Sequence, residues 1–283
     1  MKKILLTTSA LTLIAGAAAA DVSVSGYGRI GISSTGGTAT QYTRMQTTFS
    51  GTSTTDSGLS FNAQTRYQSG GSSNTGATGV FAGPSFSVSN GAMTLALGNN
   101  AGAIASNAGI WGCGAVMWGC GDMADTGFTG QWATRQSTGA GMNIIRLDMA
   151  LGGASVSVSG GNDNDTELAV SMPMGGGSVG VGYDTDAGTA GNPVTQINYS
   201  GSMSGLGVGV KLLQQNAVSA YMASVSAPAG AGSVYVYAGK NIAESNNYGL
   251  RYNQSLGGGA SMHVGAANAA GTTTIGAGVH FGF

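Results

Sequence analysis

Few residues of this 283-residue chain are equipped for chemistry: it holds 10 Lys+Arg, 11 Asp+Glu, 2 His and 2 Cys. The cysteines, Cys113 and Cys120, fall close together in the run CGAVMWGC. In an oxidising compartment such a pair reads as a disulfide. The bridge needs close Cα atoms, and free thiols or a metal site are the alternatives. Zinc takes four ligands, and His263 and His280 fall on strands far along the chain. Asp163, Asp165 and Glu167 form a local acidic cluster in a loop, suited to calcium or another divalent cation, or simply to solvent. It lacks the glycine and distal glutamate of an EF-hand. Gly26, Gly28 and Gly31 read G-x-G-x-x-G, but a dinucleotide fingerprint needs a strand before it and a helix after it. These glycines lie inside one strand, where they serve close packing or lumen width. No Ser, His and acid stand at the spacing of a triad, so no enzyme is expected.

The elements that must position these residues are strands. Segments of about ten residues alternate apolar with small or polar side chains, separated by Gly, Asn, Ser and Asp clusters. In the first, Val22, Val24, Ile30 and Ile32 share one face, and Ser23, Ser25, Tyr27 and Arg29 the other. In the last, Ile275, Val279, Phe281 and Phe283 oppose Thr274 and His280. Period two means two different environments. The pattern predicts sixteen strands between residues 22 and 283, beginning 22–33, 41–51, 58–69 and 78–89. The connections alternate as well. Those at 34–40, 70–77, 99–141, 161–165 and 186–192 are long, and those at 90–91, 152, 175–176 and 257–258 are tight. Tight turns at one end and longer loops at the other describe a transmembrane barrel. Sixteen strands of about ten residues fit the available length.

Residues 1–20 stand apart. Lys2 and Lys3, a short apolar run from Ile4 to Gly16, and the Ala18–Ala20 site before Asp21 make a secretory signal peptide. Residues 21–283 are read as one barrel domain with 8 basic and 11 acidic side chains. That mild balance does not suit nucleic acid, which wants a clustered basic face.

Composition excludes the commoner classes. Charged residues are 7% of the chain, where about 25% is usual. Apolar residues are 42%, too many for a disordered chain. No apolar run reaches 18 residues, so no helix is expected to span a membrane. A barrel accounts for this: lipid outside and water inside remove the need for a charged surface and a central core. Phe49, Phe61, Tyr67, Tyr199, Tyr252, Phe281 and Phe283 fall on outward faces, several near strand ends, as an interfacial aromatic girdle would.

Three pieces resemble a known family. The opening strand DVSVSGYGRIGI, the segment TRMQTTFSGTSTTDSGLSFNAQTRYQS and the ending GVHFGF, with its C-terminal Phe, resemble Gram-negative general diffusion porins of the purple-bacterial type. The resemblance implies an all-β, sixteen-stranded antiparallel outer-membrane barrel and a homotrimer set among outer-membrane lipid and lipopolysaccharide. It implies passive diffusion of ions and small hydrophilic solutes. It also implies a third long loop folded into the lumen against a basic wall. The matching positions put Arg29, Arg44 and Arg66 on that wall, and each also stands on the polar face of its strand. An Arg facing lipid at midplane would cost about 2–4 kcal/mol. The loop is Asn99–Gly141, and it departs from the family pattern. Only Asp122 and Asp125 oppose the arginines, so a net positive constriction with slight anion preference is expected. The alternatives are a substrate-specific outer-membrane channel and a secreted Gly-rich β structural or adhesive protein. The second should show a fixed repeat period, and none is seen.

Overall fold

A computed structural model describes residues 21–71, 79–108, 143–161, 166–185, 193–215 and 217–283. The strand segments are β1 (Asp21–Thr35), β2 (Thr38–Thr54), β3 (Ser60–Gly71), β4 (Val80–Phe81), β5 (Ser85–Ser89), β6 (Met93–Asn99), β7 (Asn143–Leu151), β8 (Ala154–Gly161) and β9 (Thr166–Met174). They continue as β10 (Gly177–Asp184), β11 (Val194–Met203), β12 (Leu206–Gln215), β13 (Val218–Ala229), β14 (Gly232–Lys240), β15 (Asn246–Gly257), β16 (Ala260–Ala269) and β17 (Thr272–Gly282). Neighbours pair antiparallel, β4 and β5 both lie along β3 as one stave, and β17 pairs back onto β1. The result is a closed barrel of sixteen staves with no free edge.

Two connections differ from the sequence reading. The expected strand 78–89 is broken at residues 82–84. Pro84 has no N–H to give to a ladder. The chain bends so that Ala82 N–H donates to the Arg66 carbonyl (2.8 Å) and Asn99 N–H to the Pro84 carbonyl (2.9 Å). The segment 34–40 is not a loop: β1 and β2 stay paired out to Thr35 and Thr38, with only Gly36–Gly37 between them. Both glycines have positive φ (58° and 91°), the turn geometry whose twist matches a hairpin.

The seam between the chain ends is held by backbone and by aromatic cover. Gly26 N–H donates to the Phe283 carbonyl (2.8 Å), and Phe283 N–H returns the bond to Gly26 (3.0 Å). The Phe281 ring occupies the space a β-carbon on Gly28 would need, and the Phe283 ring does so at Gly26. Gly249 lies under Tyr237, its partner on β14, in the same way. Part of the glycine excess thus seats cross-strand aromatics.

The two faces separate cleanly. Val24, Ile30, Ile32, Leu97, Ile145, Leu168, Val181, Ile197, Leu212, Val236, Leu250 and Ile275 are all exposed, and all lie on the outer face. An exposed apolar surface running round a molecule marks a membrane-facing wall. Phe49, Phe281 and Phe283 crowd the tight-turn rim, where the Tyr199 hydroxyl donates to the Gly175 carbonyl (2.9 Å). A second belt, Tyr183, Tyr221 and Tyr248, marks the long-loop rim. The sequence reading did not name it. Inside, two small apolar clusters replace a core: Val194, Leu213, Ala220, Met222 and Tyr237, against which Ile242 packs, and Ala103, Ile104 and Ala169.

Candidate functional site

The inner wall divides into three regions. At the tight-turn end it is lined by small hydroxyls: Ser25, Ser155, Ser178, Ser200, Ser202 and Ser255 are on the inner face and exposed. They alternate with outward Val24, Val179 and Met203, so the strand period alone delivers a wet vestibule rich in hydroxyls, with Asp21 at its rim.

The second region is basic and spans β15–β17 and β1–β3. Arg29 and Arg44 are direct partners across β1 and β2, and His280 is the partner of Arg29 on β17. The Arg29 guanidinium lies 4.3 Å from the centre of the Tyr27 ring, which is 5.4 Å from the His280 ring. Arg44 Nη2 donates to Gln68 Oε1 at 2.6 Å, and the Tyr27 hydroxyl donates to Gln46 Oε1 at 3.2 Å. Arg66 lies further toward the vestibule, opposite Thr48, at a polar recess of about 240 Å³ shared with Gln46, Gln64 and Asn99. The three predicted arginines therefore share one sector of the inner face. Arg251, over the Tyr235 ring at 5.4 Å, and buried His263 extend it. The sequence reading missed Arg251, although its position between outward Leu250 and Tyr252 gives it away.

The third region is a seat for the start of the long loop. Residues Ile104–Ala108 form a π-helical turn lying on the polar face of β8–β10. Ala103 N–H donates to Ser159 Oγ (2.8 Å) and Ile104 N–H to Glu167 Oε2 (3.1 Å). The Asn107 amide donates to the carbonyls of Ser155 (2.9 Å) and Ala169 (3.3 Å), and its oxygen accepts from Ser171 Oγ (2.6 Å). Arg146 donates through Nη1 to the Ala101 carbonyl and through Nε to both oxygens of Asp148 (2.9 and 3.0 Å). Ile104 fills the space left by side-chain-free Gly182.

Glu167 stands where the sequence reading did not put it. It belongs to β9, not to the connecting loop, and is wholly buried on the inner face. Its direct partner on β10 is Asp184, also buried. With Asp148 these are the mid-wall acids among the described residues, and all three lie on β7–β10, while Asp21, on the inward parity of β1, is exposed at the tight-turn rim. β10 is eight staves from β1 in either direction, so the acidic sector faces the arginine sector across the barrel. The signal was strand parity: Asp148 alternates with Leu147 and Met149, and Glu167 with Leu168. Lys211, buried on β12 between outward Val210 and Leu212, is a further inward cation that parity marks.

Asp122, Asp125, Cys113, Cys120, Asp163, Asp165 and the leader 1–20 lie outside the described residues. Among the described residues no three His, Cys, Asp or Glu gather as a metal site.

A closed barrel that is apolar outside, polar inside and belted by aromatics at both rims is a transmembrane β-barrel. The chain belongs to the Gram-negative porin family, whose family model matches residues 7–278. Solved structures agree on the fold. One double-mutant form of the Rhodopseudomonas blastica porin superposes with TM-score 0.76 at 18% identity, covering 93% of this chain and 100% of that one. A second double-mutant form gives TM-score 0.75 and a triple-mutant form 0.75, at the same identity and coverage. No curated protein sequence matches the chain. Family and fold make it an outer-membrane protein of the porin class.

Proposed function

We propose that the chain forms a water-filled channel for passive diffusion of ions and small hydrophilic solutes, narrowed where loop 99–141 meets the wall bearing Arg29, Arg44 and Arg66. One observation carries the reading. The loop leaves β6, turns at Ala101–Asn107, is hydrogen-bonded to groups of β7–β9 and packs against Gly182 of β10, across the barrel from the arginines. A segment seated there projects into the lumen rather than over its rim. The described wall acids stand away from the basic mid-wall: Glu167 and Asp184 are buried beside that seat, Asp148 is paired with Arg146, and Asp21 is exposed at the tight-turn rim. The channel therefore prefers small anions slightly. The test is single-channel conductance with reversal potentials in a salt gradient. Absence of conductance overturns the channel, and strong cation selectivity overturns the charge assignment.

The same reading includes removal of residues 1–20 on export and assembly as a homotrimer. Support for assembly comes from the outer face of β2–β4. There Thr43, Thr47, Thr65 and Ser69 point outward, where β8, β10, β12 and β14 present valines. The broken stave β4–β5 lies beside them. Hydrocarbon solvates neither hydroxyls nor irregular backbone, so this face suits another copy of the chain better than lipid. A cyclic trimer closes such contacts without leaving an unused face.

A further inference from the structure

We propose that Glu167 is the positioning residue of the constriction: its carboxylate fixes where the long loop leaves the wall, and so sets the bore. This rests on the reading of loop 99–141 as the constriction. Glu167 Oε2 accepts two hydrogen bonds, from Ile104 N–H at 3.1 Å and from the Ser159 hydroxyl at 3.2 Å, and Ser159 Oγ in turn accepts Ala103 N–H at 2.8 Å. One carboxylate and one hydroxyl thus hold two successive amides of the loop. Amides that open a helical turn have no acceptor within it, and buried ones must find a partner. This grip takes the backbone at the start of the turn, upstream of the bonds Asn107 makes to the Ser155 and Ala169 carbonyls.

The seat is shaped for the same register. Ala103, Ile104 and Ala169 form one buried cluster, and a β-carbon on Gly182 would come within 2.9 Å of Ile104 Cγ1. A slip of the turn by one residue would bring another side chain to this socket and turn the Ile104 amide away from Glu167. A buried carboxylate is costly unless hydrogen-bonded. Here Asp184, also buried, is its partner in register. What Glu167 supplies at that cost is a hydrogen-bond acceptor for the loop.

The test is single-channel recording of Glu167→Ala, Glu167→Gln, Ser159→Ala and Arg29→Ala in planar bilayers, with barrel folding checked by heat-modifiable gel migration. Glu167→Gln replaces the carboxyl but keeps an acceptor and the shape, so it separates lost anchoring from a changed Asp184 contact. Loss of the acceptor should raise the time spent in additional, noisier conductance levels roughly tenfold in Glu167→Ala. Ser159→Ala should act in the same direction, and Glu167→Gln should restore most of the quiet state. Wild-type conductance and noise in folded Glu167→Ala and Ser159→Ala, with a shifted conductance in Arg29→Ala, overturns the anchoring role alone. An unshifted Arg29→Ala overturns the constriction reading itself. If Glu167→Ala does not fold, Ser159→Ala and Glu167→Gln decide the question.

Discussion

Arg29 and Arg44 stand directly opposite each other on β1 and β2, both on the inner face. Like charges so placed destabilise a sheet by some tenths of a kcal/mol to about 1 kcal/mol. The wall accommodates them by giving each a different neighbour: Arg29 lies over the Tyr27 ring, and Arg44 donates to Gln68. The described mid-wall carboxylates, Asp148, Glu167 and Asp184, lie on β7–β10, across the barrel from this pair. The pair therefore contributes a positive potential to the lumen rather than stability to the barrel.

Replacing both arginines separates those two contributions. In Arg29→Ala/Arg44→Ala the anion preference should fall or reverse, read as a shift of reversal potential in a potassium chloride gradient. The thermal stability of the barrel should hold or rise by up to about 1 kcal/mol. Because the effect is electrostatic, the difference from wild type should be clear near 0.1 M salt and nearly gone near 1 M, where the Debye length falls from about 10 Å to about 3 Å. A selectivity difference independent of salt would point to a change of bore instead.

The outward threonines of β2 give the assembly a direct test. Thr43→Cys or Thr47→Cys, made in a Cys113→Ser/Cys120→Ser background, should cross-link to a neighbouring copy with a short bis-maleimide in native membranes. Val210→Cys lies on β12, outward and on the opposite side of the barrel, and should remain monomeric on a denaturing gel. Equal cross-linking at both sites would reject β2–β4 as the contact face.

Much of the architecture is legible in the sequence because a barrel wall has a period of two and asks little else of it. The alternation that places Val24 and Ile30 outward places Ser25 and Arg29 inward, and the same rule applied to Leu250 and Leu168 would have found Arg251 and Glu167. What parity does not encode is the break at Pro84, where a missing N–H matters only because β3 and β6 lie on either side. Nor does it encode the inward turn at Ile104, which depends on Gly182 leaving a socket and on Ser159 and Glu167 reaching the same two amides. Gly36–Gly37 looked like part of a loop because glycine is common to loops and tight hairpins; only the pairing of Thr35 with Thr38 distinguishes them.

The glycine–aromatic contacts at the seam should be sensitive to any side chain. In Gly28→Leu the Phe281 ring must leave its place over β1, and overpacking of this kind costs about 1–3 kcal/mol. The cost falls on the strand pair that closes the barrel. The expected result is a lower temperature for conversion to the unfolded gel form, with single-channel conductance unchanged in the molecules that remain folded. Phe281→Ala should lower that temperature by a similar route, since it uncovers the Gly28 backbone.

The two cysteines offer a last separation, between the loop and the wall that carries it. A bridge between Cys113 and Cys120 would close only a short segment inside loop 99–141. The ladder that holds the barrel runs from β1 to β17 without passing through that segment. Non-reducing mass spectrometry of the exported protein should therefore find no alkylatable thiol. Reduction, or Cys113→Ser/Cys120→Ser, should leave heat-modifiable migration unchanged while raising open-channel noise. A short-loop disulfide stabilises by about 2–3 kcal/mol through chain entropy. Because the anchoring turn at Ala103–Ile104 lies upstream of the bridge, that loss should be confined to the part of the loop beyond it. Alkylation of both thiols in protein taken directly from the envelope would remove the bridge, and with it any part for it in setting the bore.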